Sequence, residues 1–117
     1  MTALAHKLLA ARPDLLTEAE FSSLIVDVAR LAGWRKYHTH NSRRSSFGFP
    51  DWILVKDDRM LAVELKTEKG KVKPDQQAWL DALARVPGVD SFVWRPSDWD
   101  QVVETLTGRK PSRKAAA

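Results

Sequence analysis

The stretch Gly48-Phe49-Pro50-Asp51-Trp52-Ile53-Leu54-Val55, followed after a short gap by Leu61-Ala62-Val63-Glu64-Leu65-Lys66, decides how this chain is read. In the second run Leu61, Val63 and Leu65 alternate with Ala62, Glu64 and Lys66. That is the period of two expected of a strand, so Glu64 and Lys66 project side by side from one face. Residues 52–55 of the first run are continuously apolar and partly β-branched, which suits a strand buried on both faces. Between the runs, Lys56-Asp57-Asp58-Arg59 is a polar turn that folds them into a hairpin. Asp51 then enters the sheet beside Glu64.

An aspartate, a glutamate and a lysine gathered in this way suit a hard divalent cation. Two carboxylates, helped by a backbone carbonyl and water, can bind Mg²⁺, and the lysine can steer or deprotonate a water or stabilise charge on a phosphate. Glu-x-Lys alone is more often the solvated face of an edge strand. The Gly-x-Pro-Asp at the head of the preceding strand is what moves the reading towards chemistry.

Taken together, Pro50-Asp51 followed by Glu64-Leu65-Lys66 resembles the PD-(D/E)xK nuclease signature. The fuller set Gly48-Phe49-Pro50-Asp51, Glu64-x-Lys66 and Gln76-x-x-Trp79 is similar to its VRR-NUC branch, over residues 17–100. The resemblance implies a restriction-endonuclease-like fold and metal-dependent cleavage of phosphodiester bonds in DNA, with Mg²⁺ as cofactor and Mn²⁺ able to replace it. It implies Asp51 and Glu64 as metal ligands, Glu18 completing the acidic set as a third metal residue, Lys66 acting on the attacking water and Gln76 supporting the site by hydrogen bonding. No small-molecule cofactor is called for. The expected activity is that of an endonuclease selective for branched DNA such as a four-way (Holliday) junction. The alternative is a non-catalytic nucleic-acid-binding module, or a subunit of a larger DNA-processing assembly.

The charge pattern agrees with an anionic partner. The chain has 117 residues, 19 basic against 15 acidic, for a formal net charge of +4 and a pI near 9.6. Arg35, Lys36, Arg43 and Arg44 cluster before the proposed site, Lys66, Lys69, Lys71 and Lys73 after it, and Arg109, Lys110, Arg113 and Lys114 in the tail. Phosphate-contacting roles are assigned to Ser42, Arg43, Arg44, His38, Lys69, Lys71 and Lys73, by the contacts that position a backbone without reading its sequence. The length fits one domain. Absence of cysteine excludes a disulfide framework and a thiolate zinc site. No apolar run reaches the length of a membrane span, and the N-terminus lacks the apolar core of a signal peptide, so a cytoplasmic protein is expected.

Along the chain, residues 1–16 hold a short helix over residues 3–11, an N-terminal cap or interface arm. Thr17 opens a second helix as N-cap, with Glu20 completing a capping box, and Phe21, Leu24, Ile25, Val28, Leu31 and Ala32 form its apolar stripe up to Gly33. Glu18 stands three residues ahead of Phe21, as the family's first-helix glutamate stands before its apolar position. Glu20 is its competitor, and both acids also suit the positive end of the helix dipole. Residues 34–40 read as an edge strand, on which His38 and His40 share a side without a third ligand for zinc. Pro74 starts a helix that carries Trp79, Leu80 and Leu83 inward, residues 90–94 form a last strand, and Trp99, Val102, Val103 and Leu106 mark a closing helix. The five tryptophans read as core. The expected fold is thus α/β, a mixed central sheet flanked by helices in the order α-β-β-β-α-β-α, with the nuclease domain at 17–108 and a basic, disordered tail at 109–117.

One domain offers one active site, so coordinated cutting of two strands calls for two copies, and a homodimer is expected. Its interface would use residues 4–16 and any exposed apolar part of the last helix around Val102 and Leu106.

Overall fold

The computed structural model describes residues 3–40 and 47–109. Ser42, Arg43 and Arg44 of the basic loop and residues 110–117 of the tail lie outside them.

The second helix forms where its caps demand. Thr17 Oγ1 accepts the N–H of Glu20 at 3.1 Å, and Glu20 Oε1 accepts the N–H of Thr17 at 2.9 Å. Two orphan donors of the helix start are thereby satisfied. This helix is α2 (Glu18–Leu31), and it follows α1 (Ala3–Ala11) and a 3₁₀ turn at Pro13–Leu15. Phe21, Leu24, Ile25 and Ala29 make its buried stripe. At the far end, Gly33 takes φ +89° and Lys56 Nζ donates to the Ala32 carbonyl at 2.6 Å.

Four strands follow: β1 (Arg35–His38), β2 (Trp52–Lys56), β3 (Arg59–Leu65) and β4 (Val89–Trp94), with α3 (Pro74–Ala84) between the last two. A 3₁₀ turn at Pro96–Asp98 leads into α4 (Trp99–Thr107). The sheet order is β1-β2-β3-β4. Its first three strands are antiparallel, and β4 runs parallel to β3 because α3 carries the chain back across the sheet. Lys56 pairs with Arg59, which leaves Asp57-Asp58 as a two-residue turn. Asp57 stands at φ +53° there, a conformation aspartate tolerates better than most residues.

Leu54, Leu61, Val63, Leu65 and Trp94 line the sheet face that meets α2 and α4 in the core. The alternate residues of β3 turn the other way, and α3 packs on β3 and β4 with Leu80 buried. From α2 onward the order is the expected α-β-β-β-α-β-α.

Three expectations need correction. The strand buried on both faces is β3. In β2 only Leu54 is buried and Val55 is exposed, because its outer neighbour β1 is a four-residue edge strand exposed throughout. The last helix offers no exposed apolar surface at Val102 and Leu106, which are 0 % and 1 % exposed. Its apolar stripe closes the core beside α2, and the Leu106 carbonyl also accepts Trp34 Nε1–H at 2.8 Å. Among the tryptophans, Trp34 and Trp94 are buried, whereas Trp52, Trp79 and Trp99 are only half-buried.

The N-terminal segment is itself part of the packing. Ala5 and Leu16 belong to the core, and Leu8 and Leu9 rest against it. Among the described residues, no helix is long and apolar enough to cross a membrane.

Candidate active site

Asp51 is placed by the three residues before it. Gly48 takes φ +88°, and a Cβ there would come within 2.6 Å of the Asp75 carbonyl carbon and 2.8 Å of the Gln76 nitrogen. Only a glycine allows that approach to the first turn of α3. Phe49 then meets Trp79 of the same helix edge to face, with ring centroids 5.0 Å apart, and Pro50 is buried. The Gly-Phe-Pro run and the Gln-x-x-Trp helix are thus two halves of one clasp that delivers Asp51 to the head of β2.

There, the Asp51 carbonyl accepts Thr39 N–H at 2.8 Å, and Asp51 Oδ2 accepts Leu65 N–H at 2.8 Å. Because Trp52 pairs with Val63, Asp51 comes level with Glu64, as the alternation requires. Glu64 is 2 % exposed, the buried charged side chain among the described residues. Lys66 Nζ lies 3.3 Å from Glu64 Oε2. Burial pushes the Glu64 carboxyl up to about 7, and the charge of Asp51 adds to the shift, while Lys66 acts against it. One lysine does not offset both the desolvation and the second carboxylate.

Glu18 and Glu20 separate by environment. Glu20 is tied into the capping box, and its hydrogen bonds with Thr17 hold it below the usual glutamate range. Glu18 is raised, first by partial burial and then by the charge of Asp51. It lines a cleft of 360 Å³ with Ala19, Ser22, His38, Asp51, Trp52 and Leu65. Glu18 therefore faces the site, and Glu20 serves the helix.

Gln76, expected to support the site by hydrogen bonding, uses its side-chain oxygen within its own helix. Its Oε1 accepts Lys73 N–H at 2.9 Å and caps α3, so its contribution reaches Asp51 through the clasp at Gly48. Lys69, Lys71 and Lys73 are exposed on the segment between β3 and α3. That segment is held by a residue with no signal in the sequence. Arg95 Nη1 donates to the carbonyls of Thr67 (2.7 Å), Glu68 (3.4 Å) and Gly70, and Glu68 Oε2 accepts Ser97 N–H at 3.0 Å. Only the parallel register of β3 and β4, which sets Leu65 beside Trp94, brings Arg95 to this loop. His38 lies against Trp52, with ring centroids 4.6 Å apart, and His40 meets His38 edge to face.

Among the described residues, no three acids or histidines stand close enough to share one metal ion. Asp51 and Glu64 offer two carboxylates at one point, and Glu18 stands apart. This donor set fits Mg²⁺, which keeps several waters and is commonly held by one or two carboxylates. The fit is electrostatic as well, since a buried acid held near 7 beside a second acid is a place where a cation relieves repulsion.

The sequence pattern of the VRR-NUC domain matches residues 5–98 of this chain. A solved structure titled "VRR_NUC domain protein" superposes with a TM-score of 0.60 at 19% identity, over 78% of this chain and 85% of that one, a likeness of fold. No curated protein matches the chain in sequence.

Proposed function

Because the chain belongs to the VRR-NUC domain family, a nuclease family, we propose that it is a Mg²⁺-dependent DNA endonuclease selective for branched DNA. The observation that carries this reading is the meeting of Asp51, Glu64 and Lys66 at the end of the β2–β3 hairpin, with Glu64 buried and its carboxyl raised to about 7. Asp51 and Glu64 would hold the cation, with Mn²⁺ able to replace Mg²⁺. When bound, the cation supplies a polarised water and neutralises charge developing on the phosphate. Lys66, fixed beside Glu64, would act on the attacking water and place a positive charge towards the phosphoryl oxygens. Glu18 reaches the site from the first turn of α2, too far to share the ion directly, and orders water between itself and Asp51. The exposed lysines 69, 71 and 73 hold the DNA backbone on the α3 side.

The working form is a homodimer, since paired cuts across a junction need two sites. Leu4 and Leu15, 61 % and 52 % exposed, are the apolar residues of the N-terminal segment left for an interface. Deleting the segment would remove Ala5 and Leu16 from the core, so Leu4→Glu with Leu15→Glu is the sound test of assembly by light scattering. The function is tested by digesting labelled linear, flapped, splayed and four-way DNA with and without Mg²⁺. Cation-dependent cuts in branched substrates are expected, and binding without cleavage in Mg²⁺ or Mn²⁺ would leave a recognition module.

A further inference from the structure

The cleft beside Asp51 is lined by two chemically different sets of side chains. The acids Asp51 and Glu18 make one, and the rings of Trp52 and His38 make the other. His38 and Trp52 are cross-strand partners of β1 and β2, and their rings lie 4.6 Å apart at an interplanar angle of 36°. Trp52 Nε1 donates to Ser22 Oγ at 3.2 Å, which fixes the edge of the indole against α2. The buried Trp34 and Trp94 show how tryptophan packs in this domain. Trp52 differs, being half-buried and a wall both of this cleft and of a neighbouring 520 Å³ hollow that also touches Ser22, Ser23, Val26 and Asp27.

Among the described residues, no lysine or arginine lines either space. A phosphate without a cation is therefore repelled by the acids that line these spaces, Glu18 and Asp51 in one and Glu20 and Asp27 in the other, whereas a flat, uncharged ring is not. Ring faces on a fixed indole favour stacking, which every nucleobase can supply once it is free of its own neighbours.

We propose that the Trp52–His38 wall is a stacking subsite for one unpaired nucleobase of DNA, in the nucleotide next to the phosphate held at Asp51 and Glu64. The subsite rests on the nuclease reading above and deepens it. In an intact duplex both faces of each base are covered, so the subsite admits a nucleotide only where the stack is already open, at a flap, a frayed end or a junction. Selectivity for branched DNA then follows from ring stacking and needs no reading of base edges.

The test is binding, with Ca²⁺ in place of Mg²⁺ and the DNA checked to stay uncut, of single-stranded and flapped DNA carrying one abasic residue, moved through every position. The wild type is set beside Trp52→Ala, Trp52→Phe and His38→Ala, each first shown to be folded by its thermal transition. Loss of about tenfold or more in wild-type affinity at one abasic position is expected, in line with the usual worth of one stacked base. Trp52→Ala should bind intact DNA weaker by a similar factor and no longer sense the lesion, while Trp52→Phe retains most of both. A flat lesion scan in the wild type, unmeasurable binding, or undiminished lesion sensitivity in Trp52→Ala would overturn the subsite. The two readings fail separately. Lesion-sensitive binding without cleavage in Mg²⁺ removes the nuclease and keeps the subsite, and cleavage with a flat scan does the reverse.

Discussion

Glu64 Oε2 lies 3.3 Å from Lys66 Nζ, and yet burial, with the charge of Asp51 added, still pushes the Glu64 carboxyl up to about 7. The folded value is above the ordinary 4.5, so the folded protein binds this proton more tightly than the unfolded chain does. The stability linked to it is full below about pH 4.5 and is lost as pH rises through about 7. Glu64→Gln should therefore leave the melting temperature nearly unchanged at pH 4.5 and raise it by several degrees at pH 8, for a gain of up to about 3 kcal/mol. Mg²⁺ should stabilise the wild type at pH 8 and lose that effect in the variant. Calorimetry at the two pH values, with and without Mg²⁺, checks both statements.

Asp51 is a structural acceptor as well as a proposed ligand. Asp51→Ala should abolish cleavage and also cost about 1–3 kcal/mol, because the Leu65 N–H loses its partner. Asp51→Asn keeps an oxygen in that place and should be equally inactive at much smaller cost. Equal melting temperatures for the two variants would show that the hydrogen bond contributes nothing.

The two first-turn glutamates of α2 should divide cleanly. Glu20→Ala breaks half of the capping box and should cost about 1 kcal/mol with turnover kept. Glu18→Ala should leave stability near wild type and reduce turnover tenfold or more. A single-turnover assay beside thermal melts reads both.

Gly48→Ala tests the clasp. The added methyl would meet the α3 backbone at 2.6 Å, at a backbone φ of +88°, so a loss of about 2 kcal/mol or more is expected. Because Asp51 is only three residues away, kcat should fall further than that of an equally destabilised core variant such as Leu80→Val, assayed below both melting points.

If lysines 69, 71 and 73 each neutralise a phosphate, replacing all three with Ala should reduce the slope of log affinity against log salt by about 2–3. The loss should be alike for all sequences. An unchanged slope would remove the segment from the binding surface.

What could be read from the sequence was local. The capping box at Thr17 and Glu20, the Asp57-Asp58 turn and the alternation that pairs Asp51 with Glu64 each involve residues whose spacing already dictates their geometry. The apolar stripe of α4 was equally visible. Periodicity shows that Val102 and Leu106 share a side and not whether something covers it, and α2 does. The same limit applies to β2, where an apolar run gave no sign that its outer neighbour would be short and exposed. Gln76 matched a motif, but its actual acceptor role is to its own helix. Arg95 and the loop it holds are 25 to 28 residues apart in the chain, and only the parallel pairing of β3 with β4 makes them neighbours.

That grip of Arg95 on three carbonyls has a consequence for the survival of the protein. Lys66, Lys69 and Lys71 make residues 66–71 the part of the described chain richest in sites for a trypsin-like protease, the bond after Lys73 being protected by Pro74. Such enzymes need several residues drawn out into an extended strand, and a loop whose carbonyls converge on one guanidinium cannot supply them without first letting go. Lysines proposed to meet DNA are in this way withheld from digestion, and Arg95→Ala should turn the same segment into the first place the domain is nicked.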